Sequence, residues 1–463
     1  MKKVLVVLFT LLLSISILGC KEADTRQGIS DEFILVGNTA ASSGDYSNVG
    51  IPFNLAMQVV FDEYNAANDG PDIKLVHYDD GFDGPTGLAL TRKLVEEDKV
   101  FALVGHFGTD TVNSTMDYLL EKGIPMVYAA TGVNSLYYEN KPGNNILTVQ
   151  PVYRVEGRML VSRVLHESLF GANKDAKLGA SDKVMVLYSN DDAGQSIKLG
   201  VEEEVAAQSA GSRFTYLPFS TTDAASVAAN ALAQNPKAII LSANQVPTTA
   251  MLTALRLNNN TAPVFTSYVN GAAAVAPAQE VVNAVAQPFP FELYANAWVD
   301  ISQTGAPAPT NAQIGGGLVG FNALETDAFY ALGDAALAHL PNFTAEYWDG
   351  FVKSMNTSTR TQGTTAARAL WANAYAIAGY IAAKSFVEIL ERVEDISTVT
   401  WKQFIAYAES APFDVPMAGT IDWKDGNRIG LNQLAFNRYQ LNATGWGFTK
   451  IRGIESIADV NKK

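Results

Sequence analysis

The chain has 463 residues, enough for a large core and for two domains rather than one. Its 48% hydrophobic and 17% charged residues are those of a globular protein, which excludes disorder as a general description. A formal net charge of −14 argues against nucleic acid as a partner, because phosphate binding needs clustered Lys and Arg.

At the N-terminus, Lys2 and Lys3 precede an apolar run from Val4 to Leu18, followed by Gly19 and Cys20. The run is short for a transmembrane helix, which needs about 20 apolar residues, and the order of features fits a secretory signal in residues 1–20. The ending "ILGC" resembles a bacterial lipobox, which implies cleavage before Cys20 and lipidation of that residue. The alternative is an ordinary signal peptide with an incidental cysteine. Cys20 is the only cysteine, so neither a disulfide nor a thiolate metal site is expected. Several acyl chains would anchor the protein stably to a membrane. Residues 21–30 are polar and unpatterned, as suits a tether.

Beyond the tether, short apolar runs alternate with helical periodicity. Strands are expected at Phe33 to Gly37, from Ile73, from Phe101 and from Ile124. Helices are expected at Ile51 to Ala66, from Pro85 and from Thr111. This alternation means βαβ units and a parallel sheet. A strand and long helix in "NNILTVQPVYRVEGRMLVSRVL" suit a passage from one lobe to the next. The pattern then restarts, with strands from Lys183, Arg213, Lys237 and Ala262 and helices from Gln195, Asp223 and Thr248. The fold class expected is therefore α/β, with two Rossmann-like lobes.

After Tyr294 the signals thin. Ser302 to Gly317 reads as an exposed Gly/Pro/Ala loop, and Thr364 to Val393 as one long apolar helix. Gly419 to Gly430 looks like a hairpin, with Asp425-Gly426 supplying the turn.

Few motifs carry chemistry. "GGGLVG" (Gly315 to Gly320) satisfies G-x-G-x-x-G, but a loop precedes it rather than a strand, so a dinucleotide fingerprint is disfavoured. "DDGFDG" (Asp79 to Gly84) lacks the spacing of a calcium loop and reads as a solvated strand-to-helix connection. His77, His106, His166 and His339 show no zinc spacing. No hydrolase elbow or Walker loop is found, so no enzyme, cofactor or metal is expected. Two strand ends are more informative. At "GTDT" (Gly108 to Thr111) a Thr or Asp can cap the following helix. The same helix start can instead receive an anion on its free N–H groups. "AATG" (Ala129 to Gly132) ends the adjacent strand with small residues and the Thr131 hydroxyl. Ligands of parallel sheets bind at such carboxyl ends.

Five segments in order resemble the type I periplasmic binding proteins, in the branched-chain amino-acid-binding branch that serves ABC transporters. They are "SGDYSNVGIPFNLAM", "YDDGFDGPTGLALTRKLVEEDKVFALVGH", "GIPMVYAAT", "YSNDDAGQS" and "GTIDWKDGNRIG". The resemblance runs from about Asp31 onward. It implies two α/β lobes joined by three crossing strands that close over a small solute. Lobe 1 would hold 31–150 with a return segment near 300–400; lobe 2 would hold 151–295 with a C-terminal return near 400–463. By position, Thr109 would hold a ligand carboxylate, while Ala129, Ala130 and Thr131 would meet the polar head. Ser43 and Tyr46 would border the pocket. Asp192, Gln245, Tyr268 and Asn270 would face it from lobe 2.

Lobe 2 departs from the amino-acid binders. Tyr268 stands where they place an acid for the ligand ammonium, Gln245 replaces an aromatic, and Ala193 replaces a Tyr. A buried ammonium without a carboxylate partner is costly, so a carboxylate, amide or neutral polar solute fits better than an α-amino acid. The resemblance thus implies a monomeric, exported, lipid-anchored protein delivering a small polar solute to an ABC permease. The rival expectation is a lipoprotein of the same fold that acts as a sensor or protein-interaction partner.

Overall fold

A computed structural model of the protein describes residues 26–67, 70–301, 344, 346–361, 370, 373–442 and 445–463. The expected signal segment with Cys20, the start of the tether, the loop at 302–317, the glycine run at 315–320 and His339 lie outside these residues.

The first lobe is built around a five-stranded parallel sheet. Its strands are β1 (Phe33–Thr39), β2 (Asp72–Tyr78), β3 (Ala102–Val104), β4 (Met126–Val127) and β5 (Ile146–Leu147), in the order β2-β1-β3-β4-β5. Between them run α1 (Ser47–Ala67), α2 (Gly84–Glu96) and α3 (Thr109–Lys122). The apolar stretches of β3, β4 and β5 follow from burial on both faces, whereas the edge strand β2 leaves Asp72 and Lys74 exposed. Helix starts are locally encoded. Asp83 caps α2 by accepting from Thr86 N at 2.9 Å, with Pro85 in the first turn.

The chain then crosses through 148–152 into α4 (Tyr153–His166). The second sheet holds β6 (Val184–Ser189), β7 (Phe214–Phe219), β8 (Ala238–Ser242), β9 (Val264–Thr266) and β10 (Leu293–Ala297). The helices α5 (Asp192–Ala207), α6 (Ala224–Ala233) and α7 (Gln245–Leu257) connect them. A second crossing at 297–301 leads back to the first lobe, where α8 (Ala374–Glu391) packs on α1 and α9 (Trp401–Glu409) follows. Finally β11 (Gln433–Asn442) and β12 (Gly445–Ser456) complete a seven-stranded sheet of order β12-β11-β10-β9-β8-β6-β7. The α/β class and the two-lobed architecture with parallel-rich sheets are thus present.

Three expectations need correction. The return to the second lobe is placed by the sequence at about 400, yet it begins only at Gln433. Trp401, Phe404, Phe413, Trp423 and Leu431 are buried in the first-lobe core, and that burial keeps the intervening chain there. The helix expected as one piece from Thr364 to Val393 is interrupted at Asn373, which is extended and whose Oδ1 accepts from Tyr375 N and Ala376 N; before it Leu370 is helical, and 362–369 and 371–372 lie outside the described residues. The hairpin expected at 419–430 is absent. Its turn exists, with φ of 59° at Asp425 and 76° at Gly426, but Thr420–Ile421 pairs with Phe413–Asp414 instead. The other flank bridges Tyr138 through Arg428, whose buried guanidinium donates to the carbonyls of Trp423 and Asn144 and to Glu409.

Candidate functional site

Segments that leave the carboxyl ends of the two sheets meet between the lobes, where Asn113 bonds Asp192, Asn134 bonds Ser196 and Gln245 bonds Tyr375; the space they border is the candidate cleft. From the first lobe come the loops after β1, β3 and β4. Gly108 precedes α3 with φ of 104°, in the region that favours glycine, and no side chain caps the helix. The capping role open to Thr109 is therefore not the one it plays. Thr109 occupies the first helical position instead, leaving the N–H groups of the first turn uncapped by a side chain. After β4, Tyr128 has φ of 55°, a costly value for a bulky residue, and this turns Ala129 to Thr131 toward the cleft.

These two turns bring the Thr109 and Thr131 hydroxyls to 2.8 Å from each other, both almost fully buried. The Tyr153 phenol, at the start of α4, faces the same two hydroxyls. Burial pushes that phenol up to about 12 and the two threonine hydroxyls oppose the shift. Gly132 makes the approach possible, since a Cβ there would lie 2.5 Å from the Tyr153 ring. Around this centre stand further aromatic rings. Tyr46 stacks on Phe82 at 3.9 Å, Tyr153 lies 6.1 Å from Tyr268, and Tyr375 receives a bond from Gln245 Nε2 at 3.4 Å. Burial, then the nearby Asp191 carboxylate, pushes the Tyr46 phenol up to about 12.

The remaining expected residues divide. Ala129 lines the turn, while both backbone groups of Ala130 are used by His106 O and Gly108 N. Ser43 is exposed at the rim and bonded to Asp79. Asp192 faces the first lobe and accepts from Asn113 Nδ2 at 2.6 Å. Asn270 is structural, its Nδ2 donating to Ala243 O and Thr266 Oγ1. Tyr268 reaches the crossing segment, its hydroxyl donating to Pro151 O at 2.6 Å. The acidic loop is not one cluster but three separate fittings. Asp79 accepts from Ser42 N, Asp80 from Phe82 N and Thr111 Oγ1, and Asp83 caps α2.

Sequence reading missed Phe82, Asn113, Tyr153, Glu156 and Tyr375. Phe82 sits within a loop whose charges suggest solvent, and Tyr375 within a helix whose apolarity suggests core. Glu156 gave a fainter signal, as a carboxylate on the same helical stripe as Leu160. It is wholly buried, accepting from Ser267 Oγ at 2.6 Å and from Tyr268 N at 2.5 Å. Burial raises its carboxyl to about 8, against the lowering effect of these bonds.

Beside the cleft, a groove of about 360 Å³ runs between α3 and α5, lined from both lobes by Asn113, Asn134, Ser135, Asp192, Gln195 and Ser196 among others. Asn134 N donates to Ser196 Oγ at 3.2 Å across it.

The family model described as "Periplasmic binding protein" matches residues 34–317, more than half of the chain. The chain belongs to this family. Proteins of the family are exported, bind small solutes and work with ABC permeases, and in general they are not enzymes. Solved structures agree on the fold. A fatty acid ABC transporter substrate-binding protein from Thermomonospora curvata is 18% identical, with 94% of this chain and 95% of that chain covered and a TM-score of 0.61. A branched-chain amino acid ABC transporter from Thermus thermophilus with bound valine is 12% identical, covering 94% and 99%, TM-score 0.62. A solute-binding protein from R. palustris in complex with benzoate is 14% identical, covering 92% and 98%, TM-score 0.57. No curated protein sequence matches the chain. Among the described residues no helix is long and apolar enough to cross a membrane.

Proposed function

We propose that this periplasmic binding protein is lipid-anchored through Cys20 and delivers a small carboxylate with a flat or apolar body to an ABC permease. The observation that carries the reading is the Thr109–Thr131 hydroxyl pair at the uncapped start of α3, inside a ring of Tyr46, Phe82, Tyr153, Tyr268 and Tyr375. Hydroxyls and first-turn N–H groups suit a carboxylate, while aromatic faces suit an apolar body.

An α-amino acid fits poorly. Tyr268 stands two residues beyond β9, and burial shifts the carboxyl that reaches its backbone, Glu156, toward the neutral acid. The nearby Asp191 carboxylate already accepts from Ser189 Oγ and Gly194 N, so an ammonium would enter without a dedicated counter-charge. The benzoate bound by the R. palustris relative lends this solute class some support. Solute contacts from both lobes would favour the closed form, which the permease recognises.

The test is a thermal-shift screen on residues 21–463 with aromatic and aliphatic carboxylates, amides and amino acids. A solute at 100 times its Kd stabilises by roughly 2.7 kcal/mol, an easily measured shift. Stabilisation by carboxylates and not by amino acids is expected. Tight binding of leucine or valine would overturn the solute class, and silence across the panel would favour the sensor or interaction protein. Cys20→Ser is expected to move the protein from the membrane fraction to the soluble fraction.

A further inference from the structure

Glu156 takes no part in the reading above as a ligand contact, yet it is a fully buried carboxyl directly behind the cleft wall. It lies one helical turn after Tyr153 on α4, so both face the same side. Its two oxygens accept from Ser267 Oγ and from the backbone N–H of Tyr268, at the carboxyl end of β9. Near the same carboxyl stands Asn296 on β10, a buried side chain whose amide nitrogen and oxygen have no hydrogen-bond partner. Tyr268 is thereby held at both ends. Its N–H is fixed by Glu156, and its hydroxyl bonds the Pro151 carbonyl in the first crossing segment.

We propose that Glu156 is a positioning residue for solute capture: it fixes the backbone at the end of β9 and, with it, the Tyr268 ring that joins the cleft wall to the crossing segment. This inference rests on the proposed solute cleft and extends it to the hinge.

The chemistry follows from the partners. Ser267 and Tyr268 both donate to the carboxyl, and the neutral acid keeps acceptor capacity for both while bringing no charge into the buried site. The titratable groups that face it are the phenols of Tyr153 and Tyr268, which offer no positive charge. The basic side chains of the same helix are engaged elsewhere: Arg154 with Glu203, Arg158 with Glu204, and Arg163 with Glu167 and Glu455. Once ionised, Glu156 is a buried anion without a cation, a condition relieved by movement of α4 away from β9. Glutamine keeps one acceptor oxygen and stays neutral at every pH; alanine supplies no acceptor.

The experiment compares wild type, E156Q and E156A in the chain lacking its first twenty residues, with benzoate and hexanoate as probes. Both probes stay ionised between pH 6.5 and 9.5. Binding is measured by titration calorimetry across that range, and amide exchange is followed at residues 264–270. The expected result is wild-type affinity that is flat to pH 7 and falls at least fivefold by pH 9.5. E156Q should bind within threefold of wild type at pH 7 with no such fall. E156A should bind at least tenfold more weakly and lose exchange protection at Tyr268, while its melting remains cooperative. A wild type that binds neither probe overturns the carboxylate reading and the inference built on it. A wild type that binds, with the same pH profile as E156Q or the same affinity as E156A, overturns only the positioning role.

Discussion

Asn113 on α3 donates through Nδ2 to Asp192 Oδ2 on α5 at 2.6 Å, and this bond joins one lobe to the other. Both residues are exposed, so the bond is worth little in absolute terms, about 0.5–1.5 kcal/mol. Its leverage comes from position, because it exists only when the lobes are together. Asn113→Ala or Asp192→Ala should therefore shift the equilibrium toward the open form and weaken solute binding about two- to tenfold. Small-angle scattering of the ligand-free variants should show a larger radius of gyration. Unchanged scattering and unchanged affinity would mean that the bond does not bias closure.

Removing either central hydroxyl should cost more. Thr109→Val and Thr131→Val keep side-chain volume but delete a donor for the solute carboxylate. A hydrogen bond to a charged group is worth about 1.5–3 kcal/mol, so each should weaken binding roughly 10- to 150-fold. Titration calorimetry with benzoate provides the check. Valine fills the same space but leaves the partner hydroxyl buried and unpaired, so stability without solute should also fall, by about 1–3 kcal/mol.

Gly132→Ala tests the close approach of Tyr153. The added Cβ would lie 2.5 Å from the ring and 2.8 Å from the Pro151 carbonyl oxygen. Neither can withdraw freely, because Tyr153 N also donates to Gly132 O at 2.5 Å. Destabilisation of about 1–3 kcal/mol is expected, a fall of several degrees in Tm by calorimetry, together with loss of solute binding. A variant with wild-type Tm would show that the first crossing segment is more compliant than its contacts suggest.

His106 sets an acid limit for the first lobe. It is fully buried, bonded to Thr115 Oγ1 at 3.1 Å, and burial lowers its pKa to about 3. The folded value lies below the unfolded one, so the neutral form is favoured by folding. The stability this confers is complete above about pH 6.5 and is lost as pH falls from there toward 3. Denaturant unfolding should show a loss on the order of a few kcal/mol across that window, and His106→Gln should flatten it. An equal slope in both proteins would assign the acid limit to other groups.

Much of the molecule is legible without coordinates. Val-, Ile- and Leu-rich stretches such as Phe33–Thr39 and Ala238–Ser242 are buried on both faces, so their hydrophobicity announces parallel strands directly. The polar rims after them mark strand ends, and Thr109 and Thr131 could be singled out because small hydroxylated residues at adjacent ends are informative together. Less legible was the helix start at Asn373, a local capping choice hidden inside an apolar run.

What the sequence determined by itself is therefore the order of the elements, the two-lobed α/β class and the two hydroxyls on neighbouring strand ends. Only the tertiary structure decided that Tyr153 closes on those hydroxyls, that Tyr375 and Phe82 complete an aromatic ring, and that Glu156 stands beneath Tyr268. These pairs are separated by tens to hundreds of residues and come from both lobes. Local propensity and periodicity act over a few residues, whereas such contacts follow from how the crossing segments dock one sheet against the other. The same physics explains the late return at Gln433, since burial of Trp401 and Trp423 in the first core, not any local signal, holds the chain there.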